Sequence, residues 1–95
     1  MFVRVYAHYA VKGKEAEGKA EMAKFADEVK KSPDTIEIYK LVSRNDPTKI
    51  TTAAVWKSKE AWQKWTDARK AATAQSGGGS TTVWVKVEGD DYDSY

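Results

Sequence analysis

Three of the chain's four tryptophans, Trp56, Trp62 and Trp65, fall within ten residues of one another in the stretch TTAAVWKSKEAWQKW from Thr51 to Trp65. An indole joins a large apolar face to a single N–H donor, so such a cluster can wall an apolar pocket and orient a ligand in it. The same rings can also simply fill a core, which is the commoner use of buried aromatics. The elements carrying them read directly. TTAAVW is a β-branched strand that delivers Trp56 to its end, Lys57 and Ser58 turn, and a helix carries Trp62 and Trp65. His8 is the only histidine. No nucleophile elbow accompanies it, so a Ser-His-Asp hydrolase has no support. Gly77–Gly79 lacks the Lys-Ser/Thr of a phosphate loop and precedes a strand instead of opening a helix.

Composition narrows the chemistry further. There are no cysteines, which excludes disulfides, thiolate metal sites and thiol nucleophiles. At 95 residues one domain with one core is expected, and 41% hydrophobic with 32% charged residues is the balance of a soluble globular protein. The net charge of +2 hides an asymmetry: Glu88, Asp90, Asp91 and Asp93 carry four negative charges near the end, leaving residues 1–87 at +6. Lysines and acids nevertheless interleave, as in Lys12, Lys14, Glu15, Glu17, Lys19 and Glu21, which is the pattern of a solvated helix face. Nucleic acid is therefore not expected as a partner. Nor is a membrane, since no apolar run reaches transmembrane length; a cytoplasmic location is the default expectation.

In chain order, Phe2 to Val11 alternates as a first strand, with Val3, Val5, Ala7 and Tyr9 on one face and Phe2, Arg4, Tyr6, His8 and Ala10 on the other. Lys12-Gly13-Lys14 turns. A helix follows from about Lys14 to Lys31, with Met22, Phe25, Ala26 and Val29 in one apolar stripe, and Ser32-Pro33-Asp34 stops it. Thr35–Val42 and Lys49–Trp56 form a hairpin around a turn at Asn45–Thr48. Ser58 caps a second helix from Lys59 to about Ala74, lined by Ala61, Trp62, Trp65, Ala68 and Ala72. Gln75–Ser80 reads as a flexible loop, and Thr81–Val87 as a fourth strand with Val83, Val85 and Val87 on one face and Trp84 and Lys86 on the other. The expected domain spans 1–88, followed by an acidic, disordered tail over 89–95.

The order βαββαβ predicts a ferredoxin-like α+β fold, with two helices on one face of a four-stranded antiparallel sheet. Val3, Val5, Ala7, Ala53, Val55, Val83, Val85 and Val87 would then lie on the uncovered face. An apolar patch of that size calls for a partner, and a homodimer packed sheet against sheet is the economical answer.

The motifs VKGKE at 11–15, KSP at 31–33 and VWKSKEAWQKW at 55–65 resemble those of the antibiotic biosynthesis monooxygenase domain family, over roughly residues 2–87. That resemblance implies a dimeric α/β barrel, and either cofactor-independent oxygenase chemistry or haem degradation. The haem-degrading branch implies an asparagine where this chain has Tyr6, and an axial histidine at or near Ala74, where it has none. The cofactor-independent branch needs no cofactor and no metal. It implies a pocket between helices and sheet in which a phenol or anthrone is deprotonated and its anion reacts with dioxygen.

On that reading Trp56 stacks on a small aromatic substrate and offers its N–H to a substrate oxygen. His8 is the natural general base, since an imidazole titrates near neutrality; the plainer alternative is a wet histidine at the sheet rim. Tyr6 would hydrogen-bond an enolate oxygen or only pack, and Arg4 would stabilise developing negative charge or only pair with a surface acid. Thr52, Trp62, Trp65, Trp84, Met22 and Phe25 complete the expected substrate-binding wall. A non-catalytic module that binds a small aromatic molecule, or serves in assembly, is the alternative from a different class, and haem handling is the third.

Overall fold

Strict alternation along two segments sets the centre of the fold. The computed structural model describes residues 1–76 and 83–95, arranged as β1 (Phe2–Ala10), α1 (Glu15–Lys30), β2 (Thr35–Val42), β3 (Lys49–Trp56), α2 (Lys59–Ser76) and β4 (Trp84–Asp93). The sheet order is β2-β3-β1-β4, with every neighbouring pair antiparallel. This is the ferredoxin-like arrangement expected from the sequence. In the β1–β3 ladder Phe2 pairs with Trp56, Arg4 with Ala54, Tyr6 with Thr52 and His8 with Ile50, so these eight residues share one face. Along β3 that face is buried at every second residue, Ile50, Thr52, Ala54 and Trp56. The Cα framework is 19 Å thick, enough for one helix layer on one sheet face.

The helices start and stop for local reasons. Gly13 takes a φ of +93° in the turn before α1, a conformation that side chains disfavour. Ser58 caps α2 as expected, its Oγ accepting the Ala61 N–H at 3.1 Å. In the β2–β3 turn the Asp46 carboxylate accepts from the Thr48 N–H at 3.0 Å and the Thr48 hydroxyl at 2.6 Å. Ala26 and Val29 of α1 meet Phe2, Ile38, Ala54, Trp56 and Trp62 in the larger core cluster. On α2 the inward stripe drifts from the expected one: Ala68 is exposed, and Thr66 and Arg69 turn inward beside Trp62 and Trp65. Residues 62, 65, 66 and 69 follow the 3.6-residue period better than a line through 68.

Gly18 sits mid-helix for a steric reason. A Cβ there would lie 2.8 Å from Trp84 Cη2 and 3.0 Å from Ile50 Cδ1, so the missing side chain is the notch that admits the Trp84 ring. Alanine would gain helix propensity, up to about 1 kcal/mol. Overpacking typically costs about 1–3 kcal/mol, and with a ring wedged against a strand it wins. Gly18→Ala is therefore expected to lower the urea midpoint.

β4 departs from the sequence reading in two ways. It runs on to Asp93, so the segment from Gly89, expected as a disordered tail, is paired strand along β1. Acids normally disfavour strands, but here Asp91 pairs with Arg4 and the Ser94 N–H donates to the Met1 carbonyl. Second, the ladder shifts register between Tyr9 and Ala10: Tyr9 pairs with Lys86 and Ala10 with Trp84, leaving Val85 unpaired in a bulge. Parity inverts there. Trp84 faces the helices as expected, but Val87, opposite His8, does so too, while Lys86 crosses to the outer face over the Tyr9 ring. The expected face of Val83, Val85 and Val87 opposite Trp84 and Lys86 is thus corrected by one extra residue. The expected loop at Gln75–Ser80 lies outside the described residues from residue 77 onward; Gln75 and Ser76 belong to α2.

Candidate functional site

Between the helices and the inner sheet face, a cavity of about 510 Å³ opens beside His8, Met22 and Phe25, with Glu21, Lys24, Glu28 and Arg69 around it. β1 supplies His8 because its even positions face inward. α1 supplies Met22 and Phe25 because they lie three apart on its apolar stripe. Arg69 of α2 closes one side by an ion pair with Glu28 and by lying over the Phe25 ring at 4.8 Å and the Trp65 ring at 5.3 Å.

A chain of rings links this cavity to the core. Phe25 meets Tyr6 edge-on at 5.9 Å and Trp65 edge-on at 5.9 Å, and Trp65 meets Trp56 at 5.6 Å. Trp65 is thus the α2 tryptophan nearer the cavity. Trp62 points the other way, against Phe2 at 5.5 Å. Arg4 lies between the Tyr6 and Trp62 rings, 4.7 Å from each centroid, and pairs with Asp91. Burial works against the Arg4 charge, but Asp91 and Tyr6 outweigh it and hold the guanidinium above its ordinary value. The developing negative charge that Arg4 could meet is already supplied by Asp91. Trp84 lies on the far side of His8, ring centroids 4.8 Å apart.

The polar atoms in this layer are short of partners. Among the described residues, buried Arg4 Nε, His8 Nδ1, Thr52 Oγ1, Trp56 Nε1 and Thr66 Oγ1 make no hydrogen bond. Four come from the inner sheet face and the fifth from α2. Leaving one such group unsatisfied costs about 1–3 kcal/mol, so each of these atoms is open to a partner from outside the described residues. Thr52 neighbours Tyr6 directly in the ladder and His8 diagonally. Burial lowers the His8 pKa below its ordinary 6.5, which keeps the imidazole neutral and able to take a proton at neutral pH.

The residues expected from sequence therefore fall into two groups. His8, Met22 and Phe25 line the cavity, with Tyr6, Trp65 and Trp84 behind them. Trp56 and Thr52 lie beneath, each 1% exposed, and Arg4 and Trp62 stack at the Phe2 end. Glu21, Arg69, Thr66 and Asp91 escaped the sequence reading. Arg69 and Thr66 carry a signal in the 3.6-residue period through Trp62; Asp91, 87 residues from Arg4, carries none.

The same architecture recurs among solved structures. PA3566 from Pseudomonas aeruginosa superposes with a TM-score of 0.81 at 11% identity, covering 99% of this chain and 93% of that one. MhuD from Mycobacterium tuberculosis, a haem-degrader solved with two haems in its active site, gives 0.79 at 21%, covering 99% and 95%. A mutant of SnoaB, a cofactor-independent oxygenase from Streptomyces nogalater, gives 0.71 at 19%, covering 98% and 92%. At these identities the likeness is one of fold. No curated protein matches the chain in sequence. Family membership rests on the sequence itself, because the model of the antibiotic biosynthesis monooxygenase family matches residues 1–77, the whole of β1 through α2 and every residue lining the cavity. With fold and sequence in agreement, the chain belongs to the antibiotic biosynthesis monooxygenase family.

Proposed function

We propose that the chain is a cofactor-independent monooxygenase that oxidises a phenolic or polycyclic aromatic substrate with dioxygen. The supporting observation is His8 itself: a neutral imidazole with a buried, unpartnered Nδ1, in the wall of a cavity it shares with Met22, Phe25 and four charged side chains. For an anthrone, His8 removes a proton from the ring methylene, and the resulting anion passes an electron to dioxygen. The carbon–oxygen bond then forms, giving a peroxide. Loss of water breaks the O–O bond, so one oxygen stays as the new carbonyl and the other leaves in water. The methylene gives up four electrons, and dioxygen takes all four. On this reading the unpartnered Thr52 Oγ1 and Trp56 Nε1, which lie beneath the cavity wall, donate to the substrate's oxygens as negative charge develops on them, and the Phe25 ring, backed by Tyr6 and Trp65, provides apolar surface for its ring system.

Haem finds a poor donor set in this chain. His8 is the only histidine, it lies on β1 rather than on a helix, and its ring is packed against Trp84. The test is oxygen uptake by the purified, metal-free protein against anthrones and hydroquinones. Uptake above the buffer rate supports the oxygenase; binding without uptake across the panel would replace it with a ligand-binding module.

The outer sheet face favours a second copy of the chain. Tyr39, Leu41 and Tyr92 are each at least half exposed there, around Val3, Val5, Ala7, Ala53 and Val55. Light scattering is expected to give twice the chain mass. Ala53→Arg, which places a charge at the centre of this face between Val5 and Tyr39, is expected to give the monomer. A monomeric parent protein would remove the idea.

A further inference from the structure

Trp84 is held from several sides beside the cavity. Its indole Nε1–H donates to the Glu21 carboxylate at 3.0 Å, across from β4 to α1. Its six-membered ring occupies the notch left by Gly18, with Ile50 on the next side. Its ring lies against the His8 imidazole, tilted at 60°, with centroids 4.8 Å apart. Three elements therefore fix one side chain, and that side chain packs against the only histidine. A ring with no other task would not need both a hydrogen bond to a part-buried carboxylate and a glycine in the middle of a helix.

We infer that Trp84, clasped by Glu21 and seated in the Gly18 notch, is a positioning residue for His8: it fixes the plane of the imidazole and keeps water from that side. This rests on the reading of His8 as the general base. The groups facing His8 are few. β1 brings Tyr6, at 6.2 Å between ring centroids; α1 brings Glu21, Lys24 and Glu28, and α2 brings Arg69, around the shared cavity; β3 brings the apolar Ile50. Glu21 is held by Trp84 and Glu28 by Arg69. Exclusion of water disfavours the imidazolium and contact with an indole face favours it. The direction of the His8 shift, downward by burial, is the one that exclusion produces.

Because His8 is the only histidine, its imidazole carbon-bound protons can be followed against pH by NMR without ambiguity and without substrate. The midpoint is expected below that of an exposed histidine, and to move up toward it in Trp84→Ala. Glu21→Ala should move it up relative to Glu21→Gln, which removes the same charge but keeps an acceptor for the indole. The inference is overturned if the Trp84→Ala midpoint stays or falls in a protein with native circular dichroism. If that variant fails to fold, equal midpoints in the two Glu21 variants overturn it instead. The titration needs no turnover, so a failure here leaves the oxygenase reading intact, and absence of oxygen uptake leaves this result standing.

Discussion

His8→Ala is expected to slow substrate-dependent oxygen uptake by about 10²–10⁴-fold, the usual worth of a positioned general base. The pH dependence should identify the same group. Burial lowers the His8 pKa from 6.5, and a base must be unprotonated to act. The parent rate should therefore rise as pH climbs through the lowered midpoint and be level by neutrality, and this acid limb should vanish in His8→Ala. Stability follows the same sign. The unfolded chain binds a proton at His8 near pH 6.5 while the folded chain resists it. The contribution is thus complete above that pH and lost as pH falls toward the folded midpoint. A rate unchanged by the substitution, measured with an oxygen electrode, would remove His8 from the mechanism.

Trp56→Ala should show the largest loss of stability of any single substitution in the chain. The ring is 1% exposed and belongs to the larger core cluster. Emptying a site of that size typically costs about 3–5 kcal/mol, a large share of the 5–15 kcal/mol that small domains possess. Urea unfolding followed by circular dichroism measures it. Alanine alone would confound packing with chemistry, so Trp56→Phe is the informative companion. It keeps most of the apolar volume and removes only the N–H that has no partner among the described residues. On the proposed function this variant remains folded and loses substrate affinity or turnover; full activity would make Trp56 a core residue and nothing more.

Much of this fold could be read from period and capping alone. β2 and β3 begin and end where expected, because alternation and the Asp46–Thr48 turn set their bounds, although their ladder shifts register between Thr35 and Glu37. The inward face of β1, with Arg4, Tyr6 and His8, also followed from parity. What parity cannot carry is a bulge. One unpaired residue, Val85, was enough to misassign the faces of β4 beyond it. Charge misled in the same region: four acids near the end read as a solvated tail, although Asp91 has its counterion in Arg4 on the adjacent strand. The candidate site was legible as a set of residue types but not as a geometry. Trp62 and Trp65, three apart in sequence, end up serving opposite ends of the layer, a distinction that depends on which neighbours each ring meets.

The bulge at Val85 acts on the strand as a frameshift acts on a message. Upstream of it, Trp84 is read toward the cavity; downstream, the frame has slipped by one, so Val87, Gly89 and Asp91 are read inward, while Lys86, Glu88, Asp90 and Tyr92 are read outward. A single inserted residue thereby gives one short segment two messages, a wall for the imidazole and a charged border for the outer sheet face.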